Sequence, residues 1–157
     1  MRRVVMNYKK ILFPIDFSEC SPRLAPYAID LARRFDAKLY LLYVVNTMTR
    51  FAFMWVGFPR SLTKIDEDIA ETARKNMKAF CRDHLEGFTN YETGVIIGDP
   101  AGDILKFAEN EGIDLIVMGT HGRKGLEHTV FGSVAEGVVR GASCPVLTIN
   151  PHKIPKR

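Results

Sequence analysis

The segment Lys38–Val45 constrains the fold more than any other part of the chain. It reads Lys-Leu-Tyr-Leu-Leu-Tyr-Val-Val and is almost entirely apolar, without the alternation that a half-exposed strand shows. Such runs are typical of strands buried on both faces, which occur mainly in parallel sheets covered by helices. The segment therefore predicts an internal strand of an α/β domain.

Four more short apolar runs alternate with segments of helical periodicity. The five predicted strands are Lys10–Ile15, Lys38–Val45, Tyr91–Ile97, Asp114–Met118 and Cys144–Ile149. Alternating strands and helices predict a parallel sheet with helices on both faces. With 157 residues, 46% of them hydrophobic, the chain suffices for one core but not for two. We expect a single domain over residues 1–157, with its core at about 8–150.

Capping residues mark the limits of two of the predicted helices. Asp99-Pro100 pairs an N-cap residue with a proline at the first helical position, and Gly112 is placed to end the same helix. Ser133-Val-Ala-Glu136 has the spacing of a capping box. This second pattern predicts Ser133 as the N-cap of the last helix.

The ends of the predicted strands indicate where a ligand would bind. In open parallel sheets, ligands bind beyond the carboxyl ends of the strands, where the strand order reverses. Asp16, Val44 or Val45, Gly98 and Gly119 each lie at such an end. Four separate segments are therefore predicted to meet in one crevice.

A glycine-rich loop, residues 119–132, follows the fourth strand and leads into the last helix. Its four glycines stand at positions 119, 122, 125 and 132, and Arg123 and Lys124 add positive charge. Glycine permits positive φ and a close approach of the backbone to a ligand, and a helix N-terminus offers N–H groups to phosphate. An ordinary surface turn before a capped helix is the alternative, which the four glycines disfavour. The loop predicts a phosphate site.

The spacing Gly119-x2-Gly122-x9-Gly132-Ser133 resembles the nucleotide-binding signature of the universal stress protein family. The loop lacks the Gly-Lys-Ser/Thr of a P-loop and the Gly-x-Gly opening of a dinucleotide fingerprint. The resemblance also covers the flanking helix, the last strand and the first strand up to Ser18. It implies an adenine nucleotide alpha-hydrolase-like fold, with a five-stranded parallel sheet in the order 3-2-1-4-5.

The resemblance also implies a set of residues that contact an adenine nucleotide. Pro14 and Asp16 would line the base and ribose end, and Val44 would meet adenine through its backbone. The remaining implied residues surround the ribose and phosphates: Gly119, Thr120, His121, Gly122, Arg123, Gly132, Ser133 and Val134. Asp16 has the alternative role of capping the first helix, Ser133 that of a helix cap, and His121 that of a solvated side chain or a base.

The function that the resemblance implies is that of an ATP-binding, dimeric module for signalling or protection under stress. ADP and AMP remain alternatives to ATP, and any Mg²⁺ is expected to bind through the phosphates. The dimer implied by the resemblance forms through the last strand, Pro145–Ile149. A slow ATP hydrolase of the same fold is the enzymatic alternative, although the sequence offers no catalytic residues or protein metal ligands. A phospho-receiver is disfavoured, because its acidic pair after strand one is missing.

Composition and charge distribution argue against nucleic acid and membranes as partners. The net charge is +4 with a pI near 9.0, but much of the excess basic charge lies near the two ends, which argues against nucleic-acid binding. Three widely separated cysteines do not predict a disulfide framework. No run is long enough to span a membrane, and we expect a cytoplasmic protein. The aromatic stretch 46–62 is expected to fold back over the sheet or into a dimer contact more readily than to form a membrane or partner surface, and a position beside the nucleotide is a further alternative.

Overall fold

The structure is a computed structural model and describes residues 6–46, 62–121 and 132–155. Five strands and four helices are present in these ranges. The strands are β1 (Lys10–Pro14), β2 (Lys38–Asn46), β3 (Tyr91–Gly98), β4 (Leu115–Gly119) and β5 (Val146–Ile149). The helices are α1 (Cys20–Phe35), α2 (Leu62–His84), α3 (Pro100–Glu111) and α4 (Ser133–Gly141).

The five strands form one parallel sheet in the order β3-β2-β1-β4-β5. The predicted fold class and strand order are therefore confirmed. Because β1 pairs with β2 on one side and with β4 on the other, the strand order reverses between β1 and β4. The candidate functional site lies at this reversal, beyond the ends of β1 and β4.

Two hydrophobic clusters on opposite faces of the one sheet make up the core, and alternate residues of the central strands face one or the other. Ile11 and Phe13 of β1 belong to the core formed with α1 and α2, and Leu12 belongs to the core formed with α3 and α4. All three side chains are fully buried. In β2, Leu41 and Leu42 divide in the same way. The apolar run that predicted a doubly covered strand is thus explained by helices on both faces.

Helix α3 begins and ends as its capping residues predict. The Asp99 side chain accepts a hydrogen bond from the Gly102 N–H, and Pro100 occupies the first helical position. Gly112 ends the helix in the left-handed region, with φ of 63°, where glycine adopts the conformation without a steric cost.

Helix α4 does not begin as the capping-box spacing predicts. Its N-cap is Gly132, in extended conformation, and Ser133 is the first helical residue. The prediction of Ser133 as the N-cap is therefore wrong. The Gly132 N–H donates to the Thr120 carbonyl at 2.7 Å, and this contact from a distant part of the chain sets the start of the helix one residue earlier.

Candidate functional site

The crevice at the reversal point lies between the first turns of α1 and α4. It is bordered by the residues that follow β1 and β4, from Pro14 to Asp16 and from Gly119 to His121. Parallel sheets of this type bind ligands at this position. Most of the predicted site residues that the structure describes lie together at this carboxyl edge of the sheet.

Asp16 organises the turn between β1 and α1. Its Oδ1 accepts hydrogen bonds from the Ser18 N–H at 3.0 Å, from Ser18 Oγ at 2.6 Å and from Ser21 Oγ at 2.9 Å. The N-cap of α1 is Glu19, whose side chain makes no capping bond. Asp16 is therefore not the N-cap, and its carboxylate is half-buried at the floor of the crevice.

Phe17, directly after Asp16, has a left-handed backbone with φ of 56°. This conformation costs a non-glycine residue roughly 1–3 kcal/mol and persists only where surrounding contacts hold it. The Phe17 ring packs against Tyr43 at 4.5 Å between centroids and against Phe80 at 6.4 Å. The aromatic contacts hold the turn, and they keep Asp16 next to the crevice.

Val44 lies where β2 extends past the end of β1. The Ile15 N–H donates to the Leu42 carbonyl at 2.9 Å, so the peptide groups of Leu42 face β1. In a strand, peptide groups two residues apart face the same neighbour, and those of Val44 therefore also point toward the β1 side. Because β1 ends at Pro14, opposite Leu42, Val44 presents a donor and an acceptor beyond the end of that strand.

Neither glycine at the ends of the loop has a positive φ, and only Gly119 lies where a side chain would be too close to its neighbours. Gly132 has φ of −71°, and among described glycines only Gly87 and Gly112 have positive φ. A Cβ on Gly119 would lie 2.8 Å from Leu24 Cδ1 and 3.0 Å from the His121 carbonyl oxygen. Of the two properties that glycine permits, Gly119 and Gly132 therefore do not use positive φ.

The first turn of α4 directs backbone donors into this region. The N–H groups of the N-cap and of the first three helical residues have no acceptor within a helix. Here the Gly132 N–H is used by the Thr120 carbonyl, whereas the Glu136 N–H bonds back to the Gly132 carbonyl. The three residues that lie between Gly132 and Glu136 supply the backbone N–H donors; they are Ser133, Val134 and the buried Ala135. Gly132 therefore shapes the start of the helix but does not offer its own N–H.

Thr120 is the fixed point from which the loop departs. It is 7% exposed, its N–H donates to the Ile149 carbonyl at 2.9 Å, and its carbonyl accepts from Gly132. The Thr120 hydroxyl lies 2.8 Å from His121 Nδ1. This bond orients the imidazole beside the crevice.

His152, which the sequence did not single out, also lies at this edge. Its ring meets the ring of His121 edge to face, with centroids 5.6 Å apart and an interplanar angle of 71°. The two histidines are 31 positions apart in the chain, and no local pattern links them. The parallel pairing of Gly119 with Ile149 is what brings them together.

Gly122 and Arg123 of the predicted site lie outside the described residues, as do their neighbours Lys124 and Gly125 and most of the aromatic stretch 46–62. Gly98 ends the edge strand β3, two strands away from β1, and therefore does not lie at the reversal point as predicted. The other predicted residues are placed as described above.

The described residues offer little nucleophilic or metal chemistry. Burial raises the pKa of the Cys20 thiol, close to Asp16, and burial likewise raises the pKa values of Cys81 and Cys144. These thiols are consequently protonated at neutral pH. Within residues 6–46, 62–121 and 132–155, no three His, Cys, Asp or Glu side chains are grouped so as to hold a metal ion. None of the helices in these ranges has the length and apolarity to cross a membrane.

Known proteins are similar to this chain in both sequence and fold. The model of the universal stress protein family matches residues 7–150. Universal stress protein MJ0531 of Methanocaldococcus jannaschii is 40% identical over 148 residues, which cover 93% of this chain and 84% of that protein.

Solved structures give the same relationship. MJ0577 of the same organism superimposes with a TM-score of 0.73 at 29% identity, over 97% of this chain and 99% of its own. A universal stress protein of Archaeoglobus fulgidus in complex with dAMP gives a TM-score of 0.62 at 26% identity, over 92% and 100%. These neighbours have the nucleotide alpha-hydrolase-like fold. Since the family model spans nearly the whole chain and a relative 40% identical covers most of it, the chain belongs to the universal stress protein family.

Proposed function

We propose that this protein binds an adenine nucleotide at the carboxyl edge of the sheet, with its phosphates at the first turn of α4. The observation that carries the proposal is the open N-terminus of α4, which Gly132 joins to Thr120 at the point of strand reversal. Backbone N–H groups and the positive end of the helix dipole together favour phosphate. The dAMP complex of the A. fulgidus relative supports the same class of ligand.

The base and ribose would lie on the other side of the crevice. Val44 offers backbone donor and acceptor groups beyond β1, the pairing that an adenine edge requires. Asp16, which the two serines hold in place, would face the ribose hydroxyl groups, and Pro14 would line the same wall. Gly119, Thr120 and His121 would stand between ribose and phosphates, with Gly122 and Arg123 following in the loop.

Calorimetry of the full chain tests the proposal. We expect ATP, ADP, AMP and dAMP each to bind at one site per chain, and GTP to bind more weakly because its base edge reverses the donor and acceptor. Mass spectrometry of ligand released from denatured protein would identify what the protein carries when purified. A chain that binds none of the four adenine nucleotides would refute the proposal.

Among these nucleotides we propose ATP as the ligand, with Mg²⁺ held through the phosphates, in a module that signals or protects under stress. Slow hydrolysis of ATP is the alternative, and the imidazole of His121 next to Thr120 is the feature that favours it. We expect turnover well below the enzyme range of roughly 1–1000 per second. A steady-state phosphate-release assay measures it, and turnover within that range that is lost in His121→Ala would establish the enzyme instead.

We also propose that two copies associate through β5. This strand ends the sheet, and unpaired strand edges are templates for pairing with another chain. Leu147 on β5 is 40% exposed, and it borders an apolar groove of about 410 Å³ that Tyr8 and Phe35 also line. A second copy would cover both the edge and the groove.

Light scattering of matched lysine variants tests the dimer. We expect Leu147→Lys to shift the protein toward monomer, because it places a charge in the apolar contact. Val139 is also exposed, at 44%, but it lies on α4 and not on the β5 strand, so Val139→Lys serves as a control that is expected to remain dimeric. A wild-type protein that is monomeric at tens of micromolar, where weak association begins to show, would contradict the proposal.

A further inference from the structure

The chain that follows β5 returns to the crevice in a short turn, residues 150–155, here called the C-terminal turn. Because Ile149 pairs with Gly119 and accepts a bond from the Thr120 N–H, the turn starts level with the end of β4. Three residues later, the His152 ring contacts the His121 ring. The end of the described chain thus forms one wall beside the proposed nucleotide site.

The C-terminal turn is held in place by contacts of its own. The His152 N–H donates to Asn150 Oδ1 at 3.0 Å, and Pro151 is buried. Arg23 of α1 donates to the Ile154 carbonyl at 3.2 Å, and the Ile154 side chain packs against the core beneath α1. The His152 ring is therefore presented from a fixed backbone, although the ring itself is exposed.

His121 is restrained from two directions by residues that are themselves fixed. Thr120 Oγ1 lies 2.8 Å from its Nδ1, and the His152 ring contacts it edge to face. When the Thr120 hydroxyl donates, the neutral imidazole carries its proton on Nε2 and acts as a donor there. The hydrogen bond and the ring contact both restrict the orientation of the His121 ring.

We propose that His152 is a positioning residue of the nucleotide site, which acts by holding the His121 ring in the orientation that contacts the bound nucleotide. The inference rests on the proposed function, because it assigns a role in the same site. The contact with the His152 ring restricts rotation of the His121 ring, and a ring that is already ordered loses less rotamer entropy when the ligand binds. His152 itself need not touch the nucleotide.

Calorimetry with AMP on a set of variants tests this role. We expect His152→Ala to weaken binding by about two- to tenfold, the contribution of one aromatic pair. His152→Phe keeps the ring and removes the nitrogen atoms, and should restore most of the affinity. In a His121→Ala background, His152→Ala should cause no further loss, since coupled residues are non-additive. His84→Ala, on α2 with its ring against Phe80, is the control and should bind as the wild type.

The outcomes separate the two claims. A wild-type chain that binds no adenine nucleotide overturns the proposed function and this inference together. Binding by the wild type with unchanged affinity in His152→Ala overturns the inference alone. A loss that persists in His152→Phe, or that adds fully to His121→Ala, shows direct contact of His152 with the ligand and contradicts a positioning role. In the unliganded protein, the NMR signals of the His121 ring should shift in His152→Ala and not in His84→Ala.

Discussion

Helices α3 and α4 both begin at the carboxyl edge of the sheet, but their first turns are built in opposite ways. At α3, the Asp99 carboxylate accepts from the Gly102 N–H at 2.8 Å, and Asp103 Oδ2 accepts from the Asp99 N–H at 2.9 Å. Pro100 removes one further donor. At α4, the N-cap is Gly132, which has no side chain to cap the turn.

The comparison shows which helix start is available to an anion. Two carboxylates oppose the positive end of the α3 dipole and accept from two of its backbone N–H groups, so this turn is unfavourable for an anion. The first turn of α4 has neither a capping side chain nor a proline. Its acidic residue, Glu136, forms an ion pair with Arg140 one turn further along, at 3.3 Å. Both turns lie at the same edge, and only α4 lies beside the reversal point.

An aspartate N-cap on α4, like the one on α3, should make the two helix starts alike. This change has the largest effect on nucleotide affinity that we expect. Gly132→Asp adds a carboxylate where the phosphate would lie, and two unit charges about 4 Å apart repel by about 4 kcal/mol at an effective dielectric of 20. Affinity for AMP should fall at least about a hundredfold, while the unfolding midpoint stays the same or rises. Calorimetry and thermal melts measure the two effects.

The control for that variant is Gly132→Asn, which caps the helix with the same shape and no charge. It should lose less affinity than Gly132→Asp. The backbone of Gly132 is extended and a Cβ would meet the Thr120 carbonyl oxygen at 3.4 Å, so both variants can fold. Equal affinities of Gly132→Asp and the wild type would show that no phosphate binds at this turn.

A proline at the first position of α4, as in α3, removes a single backbone N–H donor. Proline is favoured at the first helical position, and the extended Gly132 is compatible with a following proline. Ser133→Pro should weaken AMP binding by about 10- to 150-fold, the loss of one hydrogen bond to a charged group. Ser133→Ala keeps the N–H and removes the hydroxyl, so a smaller loss is expected. If the alanine variant loses as much as the proline variant, the side chain is the ligand and not the backbone.

The converse change at α3 has the smallest effect and touches stability alone. Asp99→Ala should lower the free energy of unfolding by about 1 kcal/mol, because the Gly102 N–H loses its acceptor. Asp99→Asn retains a capping oxygen and should remain close to the wild type in denaturant titrations. Nucleotide affinity should stay within about twofold in both variants, since distant sites act independently. A large loss of affinity in Asp99→Ala would place part of the nucleotide at α3.

The fold could be predicted because its signals are local. The apolar run at Lys38–Val45 indicates a doubly covered strand, and Asp99-Pro100 and Gly112 mark a helix by residue chemistry alone. The start of α4 could not be predicted in the same way. The Ser133-x-x-Glu136 spacing suggests one boundary, whereas a hydrogen bond from Gly132 to Thr120 selects another.

In the candidate site, too, the features with local sequence signals could be predicted and those that depend on long-range packing could not. Asp16, Gly119 and Ser133 could be proposed from the sequence because each lies at or just after the end of a strand or starts a helix, and parallel strands end on the same edge; Val44 lies two residues before the end of β2. The contact between His121 and His152 depends on how β5 pairs with β4, which no short pattern encodes. For Gly119 the residue type was informative, but the reason is the small space around its Cβ position, and only the packing shows it.

The central claim is that backbone N–H groups at the start of α4 bind the nucleotide phosphate. Amide NMR during titration with AMP, and in parallel with adenosine, tests it most directly, because the two ligands differ only in the phosphate. We expect the amide signals of Ser133 and Val134 to move downfield with AMP and much less with adenosine. The amides of Gly102 and Asp103 in α3 should stay in place. Equal shifts with both ligands, or shifts confined to α3, would contradict the account.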